Sequence, residues 1–158
     1  MPTSSTITKP AAKPAAGAPK ENVLDSIFRP KSIAVLGVTN TPGTVPHDIF
    51  TNLLSGHFNG VVYPVAPRKR HIAGVRAYNY VLDIPDPVDL AVLVFPGRVC
   101  ELALEQCGQK GIKAAIIISA GFREVGPAGE EREAEVRRIA AQYGMRIVGP
   151  NCLGAINT

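Results

Sequence analysis

Four short runs of the chain are apolar almost without interruption: residues 33–38 (IAVLGV), 61–65 (VVYPV), 89–95 (DLAVLVF) and 114–119 (AAIIIS). A strand that is apolar at every position, rather than at every second one, must be covered on both faces. A shorter run, residues 146–149 (RIVG), closes the series, and residues 75–78 (VRAY) predict one further extended piece. The intervening segments carry helical periodicity. Residues 46–56 place Ile49, Phe50, Leu53 and Leu54 on one side, and residues 98–110 group Val99, Leu102, Ala103 and Cys107. Residues 128–143 set Val136, Ile139, Ala140 and Tyr143 on a common stripe. Buried strands alternating with helices specify an α/β fold, a Rossmann-like doubly wound and mainly parallel sheet with helices on both faces.

The first 22 residues stand outside this pattern. They are rich in Ala, Pro and Lys, contain no aromatic residue, and predict a disordered tail ahead of one domain over residues 23–158. Lys9, Lys13 and Lys20 lie in that tail and Glu21 offsets one of them, so the tail carries half of the net charge of +4. The folded part is therefore nearly neutral, which argues against a nucleic-acid face. No apolar run reaches the ~18 residues of a membrane span, and the tail lacks the continuous apolar core of a secretory signal. Cys100, Cys107 and Cys152 show no metal-ligand spacing and no evident disulfide pairing, so a reducing, cytoplasmic setting is expected.

In parallel sheets of this type ligands bind beyond the carboxyl ends of the strands. Those ends read GVTNTPG, APRKRH, FPGR, SAGFRE and GPNCLG, each rich in Gly, Pro or small residues that let a ligand approach the backbone closely. Gly37 and Gly43 bracket the first loop, and the amides of the following helix start favour an anion. A dinucleotide fold would carry G-x-G-x-x-G in that loop and an acidic residue after the second strand. Neither is present, and the second strand is instead followed by Arg68-Lys69-Arg70. A cationic turn at this place suits a nucleotide with an additional ribose phosphate, which leaves NADP or coenzyme A.

The stretches LDSIFRPKSIAVLGVTNTPG, VVYPVAPR, VLDIPDPVDLAVLVFP, IIISAGFREVG and GMRIVGPNCLGAIN follow one another from Leu24 to Asn157. In order and spacing they resemble the coenzyme-A-binding domain of the NDP-forming acyl-CoA synthetases, the group that includes ADP-forming acetate–CoA ligase and the α subunit of succinyl-CoA synthetase. The resemblance implies that Gly37, Thr39, Asn40, Thr41, Pro42 and Gly43 contact coenzyme A through backbone and small polar groups. It places Pro67, Arg68 and Lys69 at the family's basic loop. Pro96, Ile118, Ser119, Ala120 and Gly121 fall beside the pantetheine and thiol, with Asn151 and Cys152 on the same rim. Thr44 departs from the lysine that many members carry after Pro-Gly, and Asp48 stands close to the anion-favouring helix start.

The same resemblance implies partners: ligase domains or a subunit carrying a phosphohistidine and a nucleotide-grasp element, with ATP/ADP and Mg used only by the complete enzyme. His47, His57 and His71 match no phosphohistidine motif, so this chain alone is expected to bind coenzyme A or acyl-CoA without completing the reaction. Cys152 reads as a rim residue rather than a nucleophile, because no base can be placed beside it. Two other readings stay open on the sequence: a stand-alone coenzyme-A-binding regulatory module, and a fragment of an NADP-dependent oxidoreductase.

Overall fold

All strand pairings of the main sheet are parallel, so its strand ends share one edge. The computed structural model describes residues 24–152. A short helix α1 (Asp25–Phe28) leads into β1 (Ser32–Leu36), α2 (Val45–Ser55) and β2 (Val61–Val65). A small antiparallel hairpin, β3 (His71–Ile72) and β4 (Val75–Arg76), interrupts the path to β5 (Leu90–Leu93). Helix α3 (Cys100–Lys110), β6 (Ala114–Ile117), α4 (Pro127–Tyr143) and β7 (Arg146–Val148) complete the described chain. The proposed tail, residues 1–22, lies outside the described residues, as do Leu153 and Gly154 of the GPNCLG motif.

The sheet order is β2-β1-β5-β6-β7. The chain first steps outward from β1 to β2, then crosses back over β1 and continues in the opposite direction. That reversal puts the switch point between β1 and β5. Burial explains the uninterrupted apolar runs, since alternate residues of each strand feed two different cores. Ala34, Leu36, Ala91 and Leu93 join Leu104, Cys107, Val136 and Ile139 on the α3/α4 side. Ile33, Val35, Leu90 and Val92 join Ile27 and Phe50 on the α1/α2 side. Pro64 within β2 is tolerated because β2 is the edge strand, where a missing N–H costs no ladder bond. Tyr78 covers that edge, donating its N–H to the Pro64 carbonyl (3.0 Å) and accepting from Ala66 N (2.8 Å).

Two helix faces differ from the sequence reading. In α2, Phe50 is buried and Ile49 and Leu53 half-buried, but Leu54 is exposed. In α3 the buried stripe is Cys100, Leu104, Cys107 and Gly108, whereas Val99 and Leu102 are exposed, the latter to 67%. The physical reason is that 100, 104 and 107 already form an i, i+4, i+7 stripe. Gly108 permits Tyr143 of α4 to press against the helix backbone: a Cβ there would lie 2.3 Å from the ring. Close contact with α4 thus rotates α3 so that Val99 and Leu102 turn toward the rim. Residues 75–78 are divided between β4 and the Tyr78 bridge to Val65.

Candidate functional site

Two hollows flank the switch point at the carboxyl edge, separated by Phe95. The first, about 320 Å³, is bounded by Leu36, Gly37, Val65 and Pro67 from the β1 and β2 ends, and by Tyr80, Val99 and Leu102 from across the rim. Its walls are almost wholly apolar, and Val99 and Leu102 are among them. Exposed in isolation, these two side chains form the lining of a concave site. The second hollow, about 350 Å³, lies between Val45 and Pro46 at the α2 start and the loops after β5 and β6, with Pro96, Ile118, Ser119 and Ala120 on its walls.

Gly37 makes this pairing possible. It sits at φ 94°, a conformation that side-chain-bearing residues rarely adopt, and a Cβ there would lie 2.6 Å from Phe95 Cδ1. Its N–H continues the ladder to the Val65 carbonyl at 2.9 Å. The β1 loop then folds on itself. Thr44 Oγ1 donates to the Thr41 carbonyl (2.7 Å) and lies 3.1 Å from Thr39 Oγ1.

The Asn40 side chain faces the hairpin rather than standing free for a ligand. Its Nδ2 donates to the His71 carbonyl (3.0 Å), and its Oδ1 accepts the Ala73 N–H (3.1 Å). The basic turn is held similarly: Arg68, at φ 64°, donates its N–H to Asn79 Oδ1 at 2.9 Å. Arg68, Lys69 and Arg70 remain exposed, next to Pro67 of the first hollow. Asp48 pairs with its neighbour, its Oδ1 lying 3.1 Å from His47 Nδ1.

The Ser119–Gly121 turn closes the second hollow. Ser119 is buried, its Oγ directed at the Leu93 carbonyl (3.4 Å), and its own carbonyl accepts the Asn151 N–H (3.1 Å). Gly97 N–H donates to the Ala120 carbonyl at 3.0 Å, joining the loops that follow β5 and β6. Cys100 packs behind Ser119, and burial raises its thiol to about 11.

Of the residues expected at the site, Gly37 and Pro67 line the first hollow, and Pro96, Ile118, Ser119 and Ala120 the second. Thr41, Pro42 and Gly43 are exposed on the loop after β1 and line neither. Asn151 belongs to a separate hollow with Phe122, Arg123, Glu124 and Glu133. Cys152 packs against the α1/α2-side core, its Sγ directed at the carbonyls of Ile117 (3.4 Å) and Val148 (3.7 Å). Phe95 belongs to the FPGR ending already read as rim, whereas Asn79, Tyr80, Val99 and Leu102 were not expected at the site, since nothing local to them distinguishes a lining residue from a core or surface residue.

These features define a class, a parallel α/β domain with paired hollows at its switch point, and the family is shown directly. A model described as CoA binding domain matches residues 31–158, and the chain belongs to that family. The chain is 46% identical over 136 residues to the α subunit of acetate–CoA ligase [ADP-forming] II of Pyrococcus furiosus, covering 86% of this chain and 30% of the relative. It is 47% identical over 131 residues to 4-hydroxybutyrate–CoA ligase [ADP-forming] of Nitrosopumilus maritimus, covering 83% and 19% respectively. Among solved structures, the dinucleotide-forming acetyl-coenzyme A synthetase 1 of Candidatus Korarchaeum cryptofilum superposes with a TM-score of 0.79 at 42% identity, over 83% of this chain and 28% of that one. The chain thus spans less than a third of the length of these relatives.

Proposed function

We propose that this chain is the coenzyme-A-binding domain of an NDP-forming acyl-CoA synthetase, an acid–thiol ligase. The observation that carries the proposal is the pair of hollows flanking Phe95 at the switch point, with a cationic turn bordering only the first. The apolar first hollow suits a purine ring, and its volume lies near the lower end of the ~300–1,000 Å³ typical of small-molecule sites. Arg68 and Lys69 would then pair with the ribose phosphate. The second hollow, lined by small and apolar groups, suits the pantetheine arm, with its thiol toward Ser119–Gly121.

The proposal extends to partners. Domains or a subunit carrying the phosphohistidine and nucleotide-grasp elements would supply the acyl-phosphate chemistry, with ATP/ADP and Mg bound there. A cytoplasmic location fits three free cysteines, and no helix among the described residues is long and apolar enough to cross a membrane.

Calorimetric titration with coenzyme A, dephospho-coenzyme A and NADP tests the assignment. Loss of the 3′-phosphate should weaken binding by about 1–3 kcal/mol, and the double variant R68A/K69A should abolish that difference. Equal affinities for the two coenzyme forms in the unmodified protein would remove the basic turn from the site. Incubation of the chain alone with ATP, a carboxylate and coenzyme A should yield no acyl-CoA.

A further inference from the structure

The Ser119–Gly121 turn is held on the side away from the second hollow by two charged side chains. Glu124, three residues on, accepts the Gly121 N–H at Oε1 (2.5 Å). Arg132, half-buried on α4, donates from Nη1 to the Gly121 carbonyl. Both polar groups of this glycine residue are thus engaged by ionised partners, and such bonds are roughly twice as strong as neutral ones. Gly121 itself is at φ 100°, so the turn is one that backbone preference alone would not maintain for most residues. Next to it, the Ala120 carbonyl is fixed by Gly97 N–H, and Gly97 is tightly fitted: a Cβ there would lie 2.9 Å from that same oxygen.

The opposite side of the turn, Ile118 to Ala120, forms a wall of the second hollow and contributes nothing to the first. Movement of the turn therefore alters one hollow and leaves the other intact. We infer that Arg132 and Glu124 are positioning residues that set this wall for the thiol-bearing arm, an inference that rests on the coenzyme A reading of the site. They touch no ligand. They act through Gly121, and their removal should be felt only by ligands that extend past Phe95.

That separation supplies the test. Coenzyme A spans both hollows, whereas adenosine 3′,5′-bisphosphate lacks the arm and can occupy only the first hollow and the basic turn. Calorimetry on R132A and E124A should show coenzyme A affinity reduced about tenfold and adenosine bisphosphate affinity unchanged. R132K, which keeps a cationic donor, should recover part of the loss. R138A serves as the control, since Arg138 is exposed on the same helix and pairs with Glu135. E124A keeps the test decisive should R132A unfold, because Glu124 is exposed and lies outside the core. Equal losses for both ligands, or a matching loss in R138A, would reduce the clamp to general support of the fold and overturn the inference. Absence of coenzyme A binding by the unmodified protein is a different result, and would overturn the reading of the site itself.

Discussion

Replacing Gly37 by alanine tests fold and site together. Two costs arise, and they are separable. The first is conformational: φ 94° lies outside the region comfortable for an L-residue, at about 1–2 kcal/mol. The second is steric. The new Cβ would approach Phe95 Cδ1 to 2.6 Å and Phe95 Cβ to 3.0 Å, so the ring must move by roughly 1 Å, an overpacking that costs about 1–3 kcal/mol. The sum, about 2–5 kcal/mol, is a large share of the ~5–15 kcal/mol that stabilises a domain. Thermal unfolding should show Tm lowered on the order of 10 °C. Phe95 divides the two hollows, so coenzyme A affinity should fall with it. A double-mutant cycle with F95A isolates the steric part, and the two substitutions should couple by ~1–2 kcal/mol because the shortened side chain makes room for the methyl group. An alanine variant with unchanged Tm and affinity would refute this account of the β1 turn. Additive losses in the cycle would leave only the conformational cost.

Three further outcomes follow from the geometry. N40A removes both bonds to the hairpin and should destabilise the protein by about 1 kcal/mol in urea denaturation, while reducing the preference for coenzyme A over dephospho-coenzyme A. Equal weakening toward both forms at unchanged stability would mean that Asn40 contacts the ligand directly. Burial holds the thiols of Cys100 and Cys107 at about 11 and about 12, so an aromatic disulfide reagent at pH 8 should modify only Cys152 in the folded protein and all three after denaturation. Rapid modification of two or more thiols in the folded state would contradict the packing of α3. Acceptance of the Gly121 N–H holds the Glu124 carboxyl below its ordinary range. A lowered folded-state pKa means that its contribution is complete above ~4.3 and is lost as pH falls through the lowered value. Coenzyme A binding should therefore be insensitive to Glu124 protonation from neutral pH to about 5, with an acid limb that E124Q flattens; a Glu124-dependent loss near pH 6 would rule this out.

Much of the architecture is legible in the linear chain for a simple reason. A strand such as AAIIIS, with no polar alternation, has no face to present to water, and only a two-sided covering accommodates it. The Gly- and Pro-rich endings are equally direct, since a chain leaving a strand beside a ligand needs turns with little side-chain bulk. The family motifs at 37–43, 67–69 and 118–121 lie on these endings, and local reading finds them.

Which of those endings cooperate was decided in three dimensions. β1 and β5 are neighbours although more than 50 residues separate them, and only the sheet order brings Gly37 against Phe95. Helical periodicity shows that α3 has an apolar stripe but not how that stripe is rotated. Contact between Gly108 and Tyr143 buries Leu104 and turns Leu102 into a wall of the first hollow. Arg132 is an ordinary polar residue in the sequence and Asn40 reads there as a ligand contact, yet partners 11 residues away or more place one on Gly121 and make the other a tie to the hairpin. Periodicity and turn chemistry are properties of neighbours along the chain, whereas a binding site is a property of neighbours in space.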